Sequence, residues 1–170
     1  MSLSNDYEIK TQLLTLLTQN SRQSSADMAA QLGISVAQVD DTIQLLQESG
    51  VIAKFTTIVN YDRLQSSDET VSALIELEIR PEKREGFDKV AKRICQYDNV
   101  SDHYLISGRY DFLLTVTGRT LQDVALFVSE KLAPIEHVKS TSTHFILKKY
   151  KTNGVTLDTV VSADRLAVSP

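Results

Sequence analysis

A chain of 170 residues, 42% hydrophobic and 24% charged, has the composition of a folded protein with one large domain or two small ones, and not of a disordered one. Its net charge of −4 argues against a strongly basic nucleic-acid binder, although a local patch decides more than the total. A single cysteine, Cys95, excludes an intramolecular disulfide. With no secretory leader in "MSLSNDYEIK" and no apolar run of membrane-spanning length, a cytoplasmic protein is expected.

The first predicted helix opens at Asn5, with Glu8 completing a capping box, and carries Ile9, Leu13, Leu16 and Leu17 at helical spacing. Ser24 and Asp27 signal a second helix with Met28, Ala29 and Leu32 on one face, and Gly33 suits its left-handed end. Ser35 with Gln38 starts a third, striped by Val39, Ile43 and Leu46 and stopped at Gly50. A short helix, a glycine turn and a second helix form the helix-turn-helix layout, which an ordinary three-helix cluster shares.

With Val39 turned inward, Ala37, Asp41, Gln44 and Glu48 point outward. Gln44 suits adenine and Asp41 suits the cytosine amino group. Ser35, Ala37 and Gln38 stand at the helix start, where base contacts are usually made, and Lys54 follows the helix. Phosphate grip is another matter. From Gln23 to Ala53 there is no Lys or Arg, while Asp27, Asp40, Asp41 and Glu48 fall in that window. Residues 1–65 carry four basic and seven acidic residues, a net of −3, and residues 66–170 carry 14 and 15, a net of −1. DNA affinity must then come from a few edge cations, from helix N-termini, or from many copies acting together.

"AKFTTIVNY" (53–61) reads as a linking strand and "SSDET" (66–70) as a loop. "VSALIELEI" (71–79) alternates, with Val71, Ala73, Ile75, Leu77 and Ile79 on one face and Ser72, Leu74, Glu76 and Glu78 on the other, and Pro81 closes it. Phe87, Val90, Ala91 and Ile94 form a helical stripe. Strands are expected at 100–107 and 112–118 around a "GRYD" turn. A helix striped by Leu121, Val124, Ala125, Val128 and Leu132 ends at Pro134, and 138–150 is a last strand. The fold class is therefore α+β: an N-terminal helix-turn-helix (winged-helix-like) domain over 1–60, a ferredoxin-like βαββαβ domain over 61–151, and a tail over 152–170. The uncovered sheet face, with its apolar groups, predicts pairing with a second copy.

"LLQESGVI", "SGRYDFLLTV" and "VKSTSTHFILKKYK" together resemble the Lrp/AsnC family of bacterial and archaeal regulators over roughly residues 7–151. The resemblance implies a DNA-binding transcriptional regulator. It implies a homodimer formed through the C-terminal sheet and assembled into an octamer, and an amino acid or similar small metabolite as effector. It makes Gly108, Tyr110 and Asp111 effector-site candidates, with His144, Phe145 and Ile146 from the last strand and Thr141 and Thr143 beside them. Asp111 would meet the effector's ammonium; equally, Gly108 permits a tight turn and Asp111 binds that turn's backbone. Thr42 stands where family members commonly carry an Arg, and Gln47 where they often carry a Glu. Here the helix is a DNA reader by shape and a weak one by charge.

His103, His137 and His144 lie at no zinc-type spacing to Cys95 or to one another, so no metal or cofactor is expected, and Cys95 reads as packing at a helix edge. No phosphate loop, nucleophile elbow or catalytic carboxylate pair is present, so the chain is not read as an enzyme. Two alternatives stay open. One is an enzyme resembling sirohaem decarboxylases on this same fold, using His103 or His144. The other is an effector sensor that acts through protein partners without DNA. Lys148, Lys149 and Lys151 form a short basic cluster, by default a solvated face.

Overall fold

Three helices build the N-terminal unit: α1 (Leu3–Gln19), α2 (Ser25–Leu32) and α3 (Val36–Glu48). They close on Leu13, Leu17, Met28, Ala29, Val39 and Leu46, with Ile43 and Ile52 packed against them. The computed structural model describes residues 3–63, 70–80 and 85–157, as two compact units that divide between Val59 and Asn60. The Pro81 stop, most of the "SSDET" loop and the tail beyond Leu157 lie outside the described residues.

Two caps fix the helix-turn-helix. Ser24 Oγ accepts the Asp27 N–H at 3.1 Å. Ser35 and Gln38 form a full capping box: Ser35 Oγ accepts the Gln38 N–H at 3.2 Å, and Gln38 Oε1 accepts the Ser35 N–H at 3.0 Å. Such caps stabilise by about 1 kcal/mol each. Between the helices Gly33 sits at φ 66°, a left-handed turn in which a side chain would be strained. Ser25 Oγ donates to Asp40 Oδ1 at 2.5 Å and ties α2 to α3. The first helix departs from expectation, since it begins at Leu3 and Asn5 stands inside it.

The expected strand at 53–61 does not form; its residues 53–60 join no ladder. β-branched side chains give the segment strand propensity, but a strand also needs a neighbour for its N–H and C=O groups, and the described residues supply none.

The second unit is a four-stranded antiparallel sheet in the order β2-β3-β1-β4, with β1 (Val71–Ile79), β2 (Val100–Leu105), β3 (Phe112–Gly118) and β4 (Val138–Phe145). Helices α4 (Glu85–Ile94) and α5 (Leu121–Phe127) complete the βαββαβ order. They cover one face, burying Ala73, Ile75, Leu77, Phe112, Leu114, Val116, Val90, Ile94, Val124 and Leu132. In α5 the inward positions are Val124 and Phe127, with Val128 after them, while Leu121 and Ala125 are exposed. A five-residue π turn over Val128–Leu132 follows and keeps Leu132 fully buried. The last strand stops at Phe145, short of the expected 150. The chain then forms a small hairpin of β5 (Lys151–Thr152) and β6 (Val155–Thr156), where a tail was expected.

Pairing fixes which β4 residues share a face. Ala73, Ile75 and Leu77 stand opposite Phe145, Thr143 and Thr141, so these three belong to the helix-covered side. Leu74, Glu76 and Glu78 stand opposite His144, Ser142 and Ser140 on the open side. On β2, His103 is opposite Leu114 and therefore faces the helices, with its ring edge-on to Phe112 at 4.6 Å. Cys95 is exposed rather than packed, with Sγ 3.5 Å from His103 Nδ1.

Burial holds the His103 imidazole below its ordinary value, so the ring is neutral in the folded protein near neutral pH. The stability tied to this neutral ring is fully present above about pH 6.5, the unfolded value, and is lost as pH falls through the lower folded value. Chemical denaturation of the wild type and His103→Phe between pH 7 and 5 should show the larger loss in the wild type. Parallel curves would show that His103 carries no part of the acid sensitivity.

Candidate functional site

The open sheet face and the 106–111 turn meet at a cavity of about 220 Å³ lined by Glu76, Glu78, Arg109, Tyr110, Ser140 and Ser142. Strand alternation delivers four of the six, two carboxylates from β1 and two hydroxyls from β4. A bulge between Glu78 and Ile79 places Lys139 as the extra residue of β4, and its ammonium pairs with Glu78. Ser140 Oγ also donates to Glu78, at 3.1 Å. These two bonds, with Lys139 first, hold the Glu78 carboxyl below the usual carboxylate range. Glu76 is the shared anion of the site: Arg109 Nη2 lies 3.5 Å from its Oε2 and His144 Nε2 lies 3.4 Å from its Oε1.

The turn that carries Arg109 and Tyr110 is anchored by Asp111. Its Oδ2 accepts the Ile79 N–H at 2.7 Å, its own N–H donates to Leu77 O at 2.9 Å, and its C=O accepts from Ile106 N at 2.7 Å. The Asp111 carboxylate thus grips the backbone of β1 and not that of its own turn, a role that neither reading of the sequence foresaw. Gly108 lies outside the left-handed region, and a Cβ there would sit 3.8 Å from Ile106 Cγ2 in ordinary contact, so the turn does not require glycine.

The effector candidates are not all brought together. Tyr110 lines the cavity and His144 joins it through Glu76. Thr141, Thr143 and Phe145 are on the other side of the sheet. Ile146 follows β4, its N–H bonded to Ser72 O at 2.8 Å, away from the Glu76–Glu78 end. Sequence reasoning missed Glu76, Glu78, Arg109 and Ser140. Two carboxylates spaced by two on one strand face were the available signal. His103 and His144, weighed for tetrapyrrole carboxylates, lie on opposite faces and do not converge. Among the described residues, no three or more His, Cys, Asp or Glu gather as metal ligands, and no helix is long and apolar enough to cross a membrane.

In the N-terminal unit, Ser35, Ala37, Gln38, Asp41 and Gln44 are exposed along α3, and Lys54 is exposed after it. Two of these side chains are already engaged. Gln38 Oε1 belongs to the capping box, and Gln44 Nε2 donates to Glu48 Oε1 at 2.8 Å. The half-buried Thr42 turns its hydroxyl onto Gln38 O at 2.6 Å.

Two family models match the chain: a winged helix-turn-helix DNA-binding domain over residues 8–53 and an Lrp/AsnC ligand binding domain over residues 72–156. The HTH-type transcriptional regulator YugG of Bacillus subtilis is 38% identical over 163 residues, covering 96% of this chain and 98% of that protein. The structure of E. coli AsnC is similar with a TM-score of 0.65 at 20% identity, over 87% of this chain and 96% of that one. The transcriptional regulator NMB0573 of Neisseria meningitidis, solved as an L-Met complex, is similar with a TM-score of 0.66 at 18% identity, over 88% of this chain and 96% of that one.

Removing the Asp111 carboxylate leaves the Ile79 N–H without its acceptor. Asp111→Ala should destabilise the protein by about 1–3 kcal/mol in urea titrations, and Asp111→Asn, which keeps an acceptor oxygen, by less. Equal stability of wild type and Asp111→Ala would remove the anchoring role.

Proposed function

The chain belongs to the Lrp/AsnC family of transcriptional regulators, and from that premise we propose a DNA-binding regulator whose assembly or DNA affinity responds to an amino acid or similar zwitterionic metabolite. The observation that carries this reading is the cavity that presents Arg109 and two carboxylates together. A zwitterion needs an anion for its ammonium and a donor for its carboxylate, and a small site that offers both selects such ligands. Arg109 is 86% exposed and only 3.5 Å from Glu76, a loose pair that a ligand can split. Glu76 then takes the ammonium, Arg109 the carboxylate, and the hydroxyls of Tyr110, Ser140 and Ser142 the remaining polar groups. That a similar fold has been solved with L-Met supports this ligand class.

DNA contact is assigned to α3, through Ser35, Ala37, Asp41 and Gln44, with Lys54 at its edge. A homodimer joined at the open sheet face would present two copies of α3 to the duplex, and further assembly to an octamer would raise the effective concentration of weak heads. Leu74, Leu113 and Tyr104 on the open face, and the segment at 53–60, which has no ladder partner among the described residues, favour self-association. A cytoplasmic setting fits this function.

Two measurements test the proposal. In thermal shift assays with a panel of amino acids, a ligand at 100 times its Kd stabilises by about 2.7 kcal/mol. Arg109→Ala should abolish that shift while leaving the unliganded melting temperature within about 2 °C. A full shift in this variant would sink the assigned site. In DNA binding at low salt, Asp41→Asn should tighten binding several-fold for all sequences alike, by removing a charge that repels phosphate. Unchanged affinity across salt would show that this face of α3 does not meet DNA.

A further inference from the structure

Charge along this chain is segregated. From Val138 to Leu157 there are four lysines and no acidic residue, the opposite of the stretch from Gln23 to Ala53. Lys139 is committed to Glu78. Lys148, Lys149 and Lys151 fall within four consecutive exposed residues.

This stretch is built, not trailing. Lys151 lies in the β5–β6 hairpin, closed by Asn153 and Gly154 at φ 44° and 82°, the pair of left-handed residues that a tight hairpin turn needs. The hairpin is fastened back: Leu157 N–H donates to Tyr150 O at 2.9 Å, and Asn60 Nδ2 donates to Leu157 O at 2.7 Å. Lys148 Nζ stands 4.9 Å from the centre of the Tyr150 ring, and Lys149 Nζ donates to Ser72 Oγ at 3.1 Å. Among the described residues neither Lys149 nor Lys151 forms an ion pair with a carboxylate.

We infer that Lys148 and Lys149, in the segment that enters the β5–β6 hairpin, and Lys151, on the hairpin itself, form a phosphate-binding surface for double-stranded DNA, supplying the cations that the helix-turn-helix lacks. The inference rests on the DNA-binding function proposed above and locates its electrostatic part. Lysines are compact point charges without the bidentate fork that reads guanine, so this surface grips phosphate and carries no sequence preference. The hairpin under Lys151, the Tyr150 ring beside Lys148 and the Ser72 hydroxyl beside Lys149 lower the entropy cost of placing the three ammonium groups along a strand.

The test is fluorescence anisotropy of the full-length protein with duplex DNA over a salt series. Each phosphate contact contributes about 0.9 to the slope of log K against log salt. The variant K148Q/K149Q/K151Q should therefore lose up to about 2.7 in slope per protomer engaged. Between 50 and 200 mM salt the wild type should then lose affinity about 40-fold more steeply than the variant, for any duplex sequence. The amino-acid thermal shift should be unchanged. K149Q and K151Q alone, each expected to lower the slope by about 0.9, keep the test decisive if the triple variant does not fold. An unchanged slope overturns the inference and leaves the DNA function standing. An equal loss in K89Q/K92Q, which removes exposed lysines from α4, overturns it by showing an effect of net charge alone. Wild-type protein that binds phosphatidylserine vesicles and no duplex overturns both this surface and the DNA function.

Discussion

The bond from the Ile79 amide to the Asp111 carboxylate is the constraint on which the cavity-facing part of the molecule depends. It acts on the β3 side of β1, past the last β1–β3 pair at Leu77 and Phe112, where the ladder has ended. An amide at such a place needs an acceptor, and a carboxylate from the neighbouring turn provides a strong one. The same residue donates its own N–H to Leu77 O. The turn is clasped at two points of the central strand. Arg109 and Tyr110, which immediately precede Asp111, are thereby held at the mouth of the Glu76–Glu78 cavity. The residue that makes the site possible works behind it.

What lies in front is an arrangement of nearly balanced charge. Glu78 is matched by Lys139 and Glu76 by Arg109. Exposed pairs of this kind contribute little to stability, so their value lies elsewhere. A balanced cavity attracts no excess ion of either sign, yet it offers both signs to the zwitterion proposed as its ligand. With its side chain 18% accessible, Glu76 is less exposed than either of the two groups it joins, Arg109 and His144.

Local chemistry was legible in the sequence wherever a few neighbouring residues decide the outcome. Ser24, Ser35 and Gly33 announced the two ends of the helix-turn-helix because caps and left-handed turns are settled within four residues. The alternation of "VSALIELEI" gave β1 and both its faces. Elsewhere the deciding partner was remote. The segment 53–60 has strand composition but no ladder neighbour among the described residues. Phe127, not Leu121, turns inward in α5 because the sheet beneath selects Val124, Phe127 and Val128 as one face. Thr141 and Thr143 looked equivalent to Ser140 and Ser142 until pairing with β1 sorted them to opposite sides. Glu76, Glu78 and Arg109 are separated by some thirty residues, and only the fold makes them one site.

The bulge at Lys139 bears on how faithfully that sorting is inherited. The middle of β4 reads Ser-Thr-Ser-Thr, two interleaved hydroxyl series whose polarity barely distinguishes one face from the other. Nothing in those four side chains resists a slip of one residue, which would exchange the two series. The frame is set at the ends instead, by Val138 opposite Ile79 and Phe145 opposite Ala73. Lys139, the unpaired extra residue, is the one place in the strand where chain length and facing are uncoupled. Relatives that gained or lost a residue there would keep the same hydroxyls over the cavity, whereas an indel two positions further on would turn the lining inside out.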